Sequence, residues 1–190
     1  MGISSPIKEQ LKNLSRVRNL LLKDIEINKV KLDELENNIN DYGTQNTQLR
    51  NEIVQFQYSL TKDELEIKAK KIISLENDKN REKKSYDMKS AYNENLKDNL
   101  NIIENKIDEI HIYENLKESD KLMKKLDLIN TSALVAENAV ILLKEKEKQE
   151  KSLATLKITG DLISENKKTP DDILKELIGE TKNSENGGFY

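Results

Sequence analysis

Residues 25–56 decide the fold, and they read IEINKVKLDELENNINDYGTQNTQLRNEIVQF. Apolar residues such as Leu32, Leu35 and Ile39 recur here at alternating spacings of three and four. That spacing defines positions a and d of a coiled-coil heptad. Because the same frame resumes at Leu49 without a shift, we predict that the helix continues through the polar stretch DYGTQN in the middle.

The heptad frame extends outward from this stretch in both directions. Ser5 is a suitable cap and Pro6 a suitable first residue, since proline lacks only an N–H that has no helical partner there. The frame continues to beyond Ile67, so we predict one continuous coiled-coil helix over 6–75. The predicted oligomer seam consists of Leu11, Leu14, Leu21, Ile25, Leu32, Leu35, Ile39, Asn46, Leu49, Ile53, Phe56 and Leu60.

The charges beside the seam indicate a partner for this helix. In a parallel, in-register pair, Asp24 would face Lys29 of the other chain, and Lys31 would face Glu36. Asn46 at an a position is typical of two-stranded coils, where asparagine pairs with itself. We therefore predict a parallel homodimer and keep an intramolecular helical hairpin as the alternative.

The regions next to the coiled coil have weaker patterns. Residues 1–5 are predicted to be a disordered start. Residues 76–95 place lysines and glutamates in the frame, which indicates a weak seam, a hinge or the bend of a hairpin. Apolar spacing returns over 96–117, which is predicted to be a second coiled-coil stretch or the returning helix of a hairpin. A break is expected between Tyr113 and Asp120.

The segment 119–157 has a wider apolar stripe than a two-stranded coil needs, which favours a bundle or a docking surface. Asp127 and Glu137 interrupt it and would be costly in lipid, so we expect a packed helix and not a membrane span. The candidate docking residues in this segment are Leu122, Leu126, Ile129, Val140 and Leu143.

A short amphipathic helix is predicted over 169–179, after a linker over 158–168. Its start combines a threonine cap, a proline at the first position and two aspartates facing the positive end of the helix dipole. A helix this short is unstable alone in water, so its apolar face must pack in cis or on a partner. That face consists of Ile173, Leu174, Leu177 and Ile178. We expect Gly179 to end the helix and 180–190 to form a disordered tail.

The composition excludes several classes of protein. Among 190 residues there are no cysteines and one histidine, so thiolate and histidine-pair metal sites are excluded. Charged and hydrophobic residues each make up 35% of the chain, which is typical of an exposed helical rod and not of one thick core. No glycine-rich loop is present to hold a phosphate. We therefore predict an all-α, non-enzymatic, cytoplasmic protein with no cofactor and no small-molecule substrate; nuclear or cytoskeletal association stays open.

Two features resemble a known family. The first 31 residues have seven basic and three acidic groups, and Asp171 to Ile178 form a C-terminal motif helix after a linker. In these features the chain resembles the membrane-remodelling subunits of the endosomal sorting machinery. The resemblance implies a basic N-terminal helical hairpin, further helices and polymerisation at a membrane surface.

Three functions follow from this pattern. The first is a coiled-coil scaffold that forms homodimers and recruits protein partners in a cytoskeletal, spindle, kinetochore or vesicle-tethering assembly. The second is the membrane-surface polymer that the resemblance implies. The third is a nucleic-acid-associated coiled coil, which the small net charge of −3 does not favour.

Overall fold

The computed structural model describes residues 5–116, 118–160 and 168–185, and in these ranges the chain forms five α-helices. These are α1 (Ser5–Phe56), α2 (Lys62–Glu114), α3 (Glu118–Lys144), α4 (Lys146–Gly160) and α5 (Pro170–Glu185). The described residues contain no strand, which confirms the predicted all-α class. The predicted disordered start lies almost wholly outside them, as do residues 186–190 of the predicted tail.

The first helix is continuous across the polar stretch 41–46, as the unbroken heptad frame predicts. Gly43 lies inside it. A Cβ at Gly43 would stand 3.3 Å from Nζ of Lys79 on α2, so the glycine permits a close approach of that side chain.

The predicted continuation of this helix to beyond Ile67 is wrong, because α1 ends at Phe56 and α2 begins at Lys62. The carbonyl of Phe56 accepts hydrogen bonds from the N–H groups of Ser59 (2.9 Å) and Leu60 (3.0 Å). Thr61 and Glu64 then start α2: the Glu64 carboxylate accepts from the N–H and the hydroxyl of Thr61, both at 2.8 Å. This capping box outweighs the heptad frame, which crosses the turn by coincidence and leaves Ile67 exposed.

Two other predicted boundaries change. The interval 76–95 contains no break and no hairpin turn, since it lies wholly within α2. Gly179 does not end α5, which continues to Glu185. Gly179 has no positive φ and no neighbour within 4 Å of the position of a Cβ, so nothing forces the helix to stop there. The linker was predicted over 158–168, but α4 continues to Gly160, and residues 161–167 lie outside the described part of the chain.

The chain divides into two compact units. The first unit contains residues 1–32 and 88–152, and the second contains residues 33–87 and 153–190. In the first unit, the beginning of α1 packs against the end of α2 and against α3. The core of this unit consists of Ile7, Leu14, Val17, Leu21, Tyr92, Leu96, Ile103, Ile110, Tyr113, Leu128, Ala136 and Ala139.

The second unit is an antiparallel hairpin of α1 and α2 that also carries α5. Residue numbers rise along α1 as those of their contacts on α2 fall: Asn46 bonds to Glu76, and Glu52 pairs with Lys68 at 2.6 Å. The core consists of Ile53, Ala69, Ile72, Ile173 and Leu177. The intramolecular hairpin, which the sequence left open, is therefore the arrangement that the chain adopts.

Candidate interaction surfaces

The predicted oligomer seam packs against the same chain in both units. Leu14, Leu21 and Ile53 are fully buried. Leu11, Ile25 and Leu49 are half-buried and packed against those cores. Leu32, Leu35, Ile39 and Leu60 are also half-buried, whereas Phe56 is 46% exposed beside the turn. A second chain could not use these side chains in the predicted way without opening the contacts inside each unit.

Asn46, the residue predicted to pair with itself across a dimer, has partners in its own chain. Its side-chain oxygen accepts from Nε of Arg50 at 2.8 Å, and its amide donates to Glu76 at 3.5 Å. The asparagine that predicted a two-stranded coil therefore makes a polar contact between α1 and α2 of one hairpin.

The first candidate surface is the place where α5 packs in the second unit. Ile173 is fully buried and Leu177 is 8% exposed, and both lie against Ile53, Ala69 and Ile72. The two other predicted docking residues of this helix, Leu174 and Ile178, are half-buried and packed against the same cluster. The apolar face of α5 thus packs in cis.

The start of α5 is built as the sequence predicts. Pro170 is its first residue, and the Asp172 carboxylate accepts from the N–H (2.9 Å) and the hydroxyl (2.8 Å) of Thr169. These two hydrogen bonds lower the pKa of Asp172 from its ordinary value. The capping box fixes where the helix begins and so which residues face the hairpin.

A charged network fastens α5 beside this apolar contact. Arg50 donates to Glu76 at 2.7 Å and to Glu176 of α5 at 3.1 Å, and Lys168 donates to Glu176 at 2.9 Å. The bond from Lys168, with a smaller contribution from Arg50, lowers the pKa of Glu176 against the opposing effect of burial. Burial alone would lower the pKa of Arg50, but its hydrogen bonds to the two glutamates raise it overall.

The sequence gives no signal for this network. Arg50, Glu76 and Glu176 are ordinary charged residues on helices that are otherwise rich in charge, and 126 positions separate Arg50 from Glu176. Only the hairpin turn and the packing of α5 bring them together.

The second candidate surface is a groove between α1 and α3 in the first unit. Its volume is about 980 Å³. The lining residues are Asn13, Arg16, Val17, Leu20, Ala136, Glu137, Val140, Ile141, Leu143, Lys144 and Lys146. Leu20 is 42% exposed and Ile141 is 51% exposed, so apolar side chains on both walls face solvent. The sequence had predicted a docking surface on α3, but it gave no sign that α1 forms the other wall.

The predicted docking residues of α3 separate into two groups. Leu126 is 69% exposed, whereas Ile129, Val140 and Leu143 are half-buried and packed against the core of the first unit. The side chain of Leu122 lies outside the described part of the chain. Leu134, which is not among those candidates, is 58% exposed and continues the open face of α3.

Among the described residues of the first unit, three buried polar atoms have no hydrogen-bond partner: Nδ2 of Asn28, Oδ1 of Asn93 and Oγ of Ser132. Tyr92 lies in the same core and donates its hydroxyl to the carbonyl of Leu142 at 3.3 Å. Burial, with the nearby carboxylates of Asp24, Glu145 and Glu150, raises the pKa of Tyr92 to about 12. This phenol fastens α3 to α2.

One stretch of the described residues, Lys124–Thr155, is long and apolar enough to cross a membrane by length and composition alone. Of its most apolar window, 22% is buried within the protein. In the described part of the chain, no group of three or more histidine, cysteine, aspartate or glutamate residues is placed to hold a metal ion.

Comparison with known proteins identifies no relative: no family model, no curated protein and no solved structure matches the chain. Its function must therefore be inferred from its own surfaces.

Proposed function

We propose that this chain is a non-enzymatic helical scaffold subunit that recruits protein partners within a larger assembly in the cytoplasm. The observation that carries this proposal is the open apolar face of α3, where Leu126, Leu134 and Ile141 are more than half exposed. Exposed apolar surface that continues into a groove is typical of sites where proteins bind other proteins.

The hairpin makes other protein subunits more favourable partners than a second copy of the chain bound through the α1 seam. The α1 residues expected to join two chains are packed inside one chain, so in each unit α1 and α2 serve as a helical support for the surfaces described above. Self-association remains part of the proposal, but through a surface other than the predicted seam. Other protein subunits are the main proposed partners.

The size of the native complex tests this function. Lysate of the native cell is fractionated by gel filtration and compared with the purified chain of 21.9 kDa. We expect the chain in the lysate to elute well ahead of the purified chain, and a triple change of Leu126, Leu134 and Ile141 to glutamine to abolish that difference. Elution of the native chain at the position of the purified one would contradict a scaffold role.

One observation favours a second function, the membrane-surface polymer. The second unit combines a long antiparallel hairpin with a C-terminal helix packed on it, and the first 31 residues have an excess of positive charge. These features suit the plan of the endosomal sorting subunits that the sequence resembles. Anionic lipid attracts such basic segments.

Flotation with vesicles separates the two functions. If the membrane function holds, the chain floats with phosphatidylserine vesicles at low salt, and changing Lys8, Lys12, Arg16 and Lys23 to glutamate abolishes flotation. If the wild-type chain stays in the dense fraction, the membrane function is wrong and the scaffold function is unaffected.

A further inference from the structure

We propose that the groove between α1 and α3 binds an amphipathic helix of a partner protein, with an apolar stripe and acidic flanks. The proposal deepens the scaffold function and rests on it, because it names the recruiting surface and the chemistry of its ligand.

The shape of the groove fits one helix. Val17 and Ala136 form its floor and are 5% and 9% exposed, while Leu20 and Ile141 stand on opposite walls and are about half exposed. A small residue at the floor allows the backbone of a ligand helix to approach closely. From Ala136 to Lys144 the α3 wall is about 12 Å long at ~1.5 Å per residue, which matches a little over two helical turns of a ligand.

The charges at the rim favour an acidic ligand. Arg16 on the α1 wall and Lys144 at the end of the α3 wall are exposed, and neither has an ion pair within the described residues. Lys146 also lines the groove and is paired with Asp24 at 2.9 Å. The one acidic lining residue is Glu137. A ligand helix with carboxylates along its flanks would therefore find unsatisfied cations on both walls.

The same features disfavour other occupants. A bilayer surface is flat on this scale and cannot reach a floor that lies between two helices. A second copy in a two-fold pair would bring its own Arg16 and Lys144 to the same place, and like charges would repel. The acidic helix α5 of the same chain has its apolar face buried against Ile53 and Ile72.

The test uses a pair of synthetic peptides as probes. Both are helices of five turns with leucines at spacings of three and four; one has glutamates on its flanks and the other has lysines. Binding to the full-length chain is measured by fluorescence anisotropy at low salt. We expect the acidic peptide to bind at least tenfold more tightly than the basic one.

Two matched pairs of variants locate the site. Leu20 faces the groove and Leu22 lies on the other side of α1, yet their exposures are nearly equal at 42% and 41%. We expect Leu20→Glu to weaken binding of the acidic peptide more than tenfold and Leu22→Glu to change it less than twofold. Arg16→Glu should weaken the acidic peptide about fivefold and strengthen the basic one, whereas Lys29→Glu, away from the groove, should do neither. Circular dichroism melting verifies that each variant is folded.

Several results would overturn the proposal. These are equal binding of the two peptides, binding of neither, or equal loss in the Leu20 and Leu22 variants. Flotation on phosphatidylserine vesicles that Leu20→Glu alone abolishes would assign the groove to lipid. A dimer in sedimentation that Leu20→Glu alone dissolves would assign it to a second copy. If the native complex is large but the chain binds neither peptide, the scaffold function is still supported and only the proposed role of the groove is wrong.

Discussion

The helices α5 and α3 differ in how much of their apolar surface is buried. The short α5 buries Ile173 and Leu177 completely or nearly so in the second unit. The longer and more apolar α3 buries one side, at Leu128 and Ala139, and leaves Leu126 and Leu134 in solvent. The sequence had marked both helices as candidates for recruiting partners.

The difference shows that apolar content alone does not identify a binding surface. The apolar residues of α5 form one narrow stripe, and contact with the hairpin buries its centre at Ile173 and Leu177 and half-buries its edges. The apolar residues of α3 surround more of the helix than its neighbours can cover, so the remainder stays available. Surplus apolar width is the better indicator of a partner.

The largest effect is expected when α5 is detached from the hairpin by a substitution. Ile173 is fully buried, so Ile173→Asp places a charge out of contact with water. We expect α5 to detach with a loss of at least ~3 kcal/mol of docking free energy. Hydrogen exchange should then show fast exchange across α5 and unchanged protection in α1 of the first unit. Lys175→Asp, on the exposed side of α5, is the control. Retained protection of α5 in the Ile173 variant would mean that the helix is not held by this face.

The two sides of α3 provide the next test. Leu128 is 7% exposed and Leu134 is 58% exposed, so the same leucine-to-alanine change can be made on both sides. We expect Leu128→Ala to lower the free energy of unfolding by about 2–4 kcal/mol. We expect Leu134→Ala to change it by no more than about 0.5 kcal/mol, as is usual at the surface. Urea denaturation measures both. Similar losses in the two variants would show that the outer face of α3 is covered in the free protein.

The charged network gives a smaller effect. Arg50→Met leaves Glu76 and Glu176 beside each other without their shared cation. We expect α5 docking to weaken by about 1–3 kcal/mol. The partial exposure of the Arg50 side chain, 24%, keeps the effect below that of a fully buried pair.

The control for Arg50 is Lys68→Met, which breaks the more exposed pair with Glu52. An exposed ion pair contributes little, so we expect a loss of about 0.5 kcal/mol. The rate of hydrogen exchange in α5 is compared between the two variants. An equal increase in both would show that the charged network does not hold α5 in place.

The smallest effect concerns Tyr92, which joins α2 to α3. Its pKa is raised from 10.0 to about 12. The stability that it contributes is therefore fully present below its ordinary pKa and is lost as pH rises through the raised one. Because Tyr92→Phe removes the hydrogen bond to Leu142, it should cost about 1 kcal/mol at neutral pH. In the variant, the alkaline decline in stability across this interval should flatten. Denaturant melts at stepped pH measure both, and an unchanged alkaline decline would contradict the burial of this phenol.

The sequence predicted the all-α class and the start of α5, but it missed the turn between α1 and α2 and the pairing of these helices. Heptad spacing identified the apolar face of α1 and the uninterrupted helix through Gly43, and the cap at Thr169 placed the start of α5. These are local signals. Local signals do not identify what packs against the seam, because the same a and d residues suit a second chain or a returning helix.

One local signal for the turn was overlooked. Thr61 and Glu64 have the spacing of a capping box, which alone places a helix start at Lys62. The candidate surfaces could not be predicted from local signals at all. Arg50 meets Glu176, and Leu20 faces Ile141 across the groove, only because helices distant in sequence pack together.

The heptad seam of this chain packs against the same chain, and a cross-link tests this packing most directly because the protein has no native cysteine. Arg18 and Glu104 face each other at 3.0 Å in the first unit, and Arg18 is also an a position of the predicted parallel dimer. A double cysteine variant at these two positions, treated with a short bismaleimide, should yield a cross-link within one chain. The single Arg18→Cys variant should form no disulfide-linked dimer on oxidation, and neither should a Lys29→Cys control. A disulfide-linked dimer from Arg18→Cys alone, with no cross-link inside the double variant, would contradict the account.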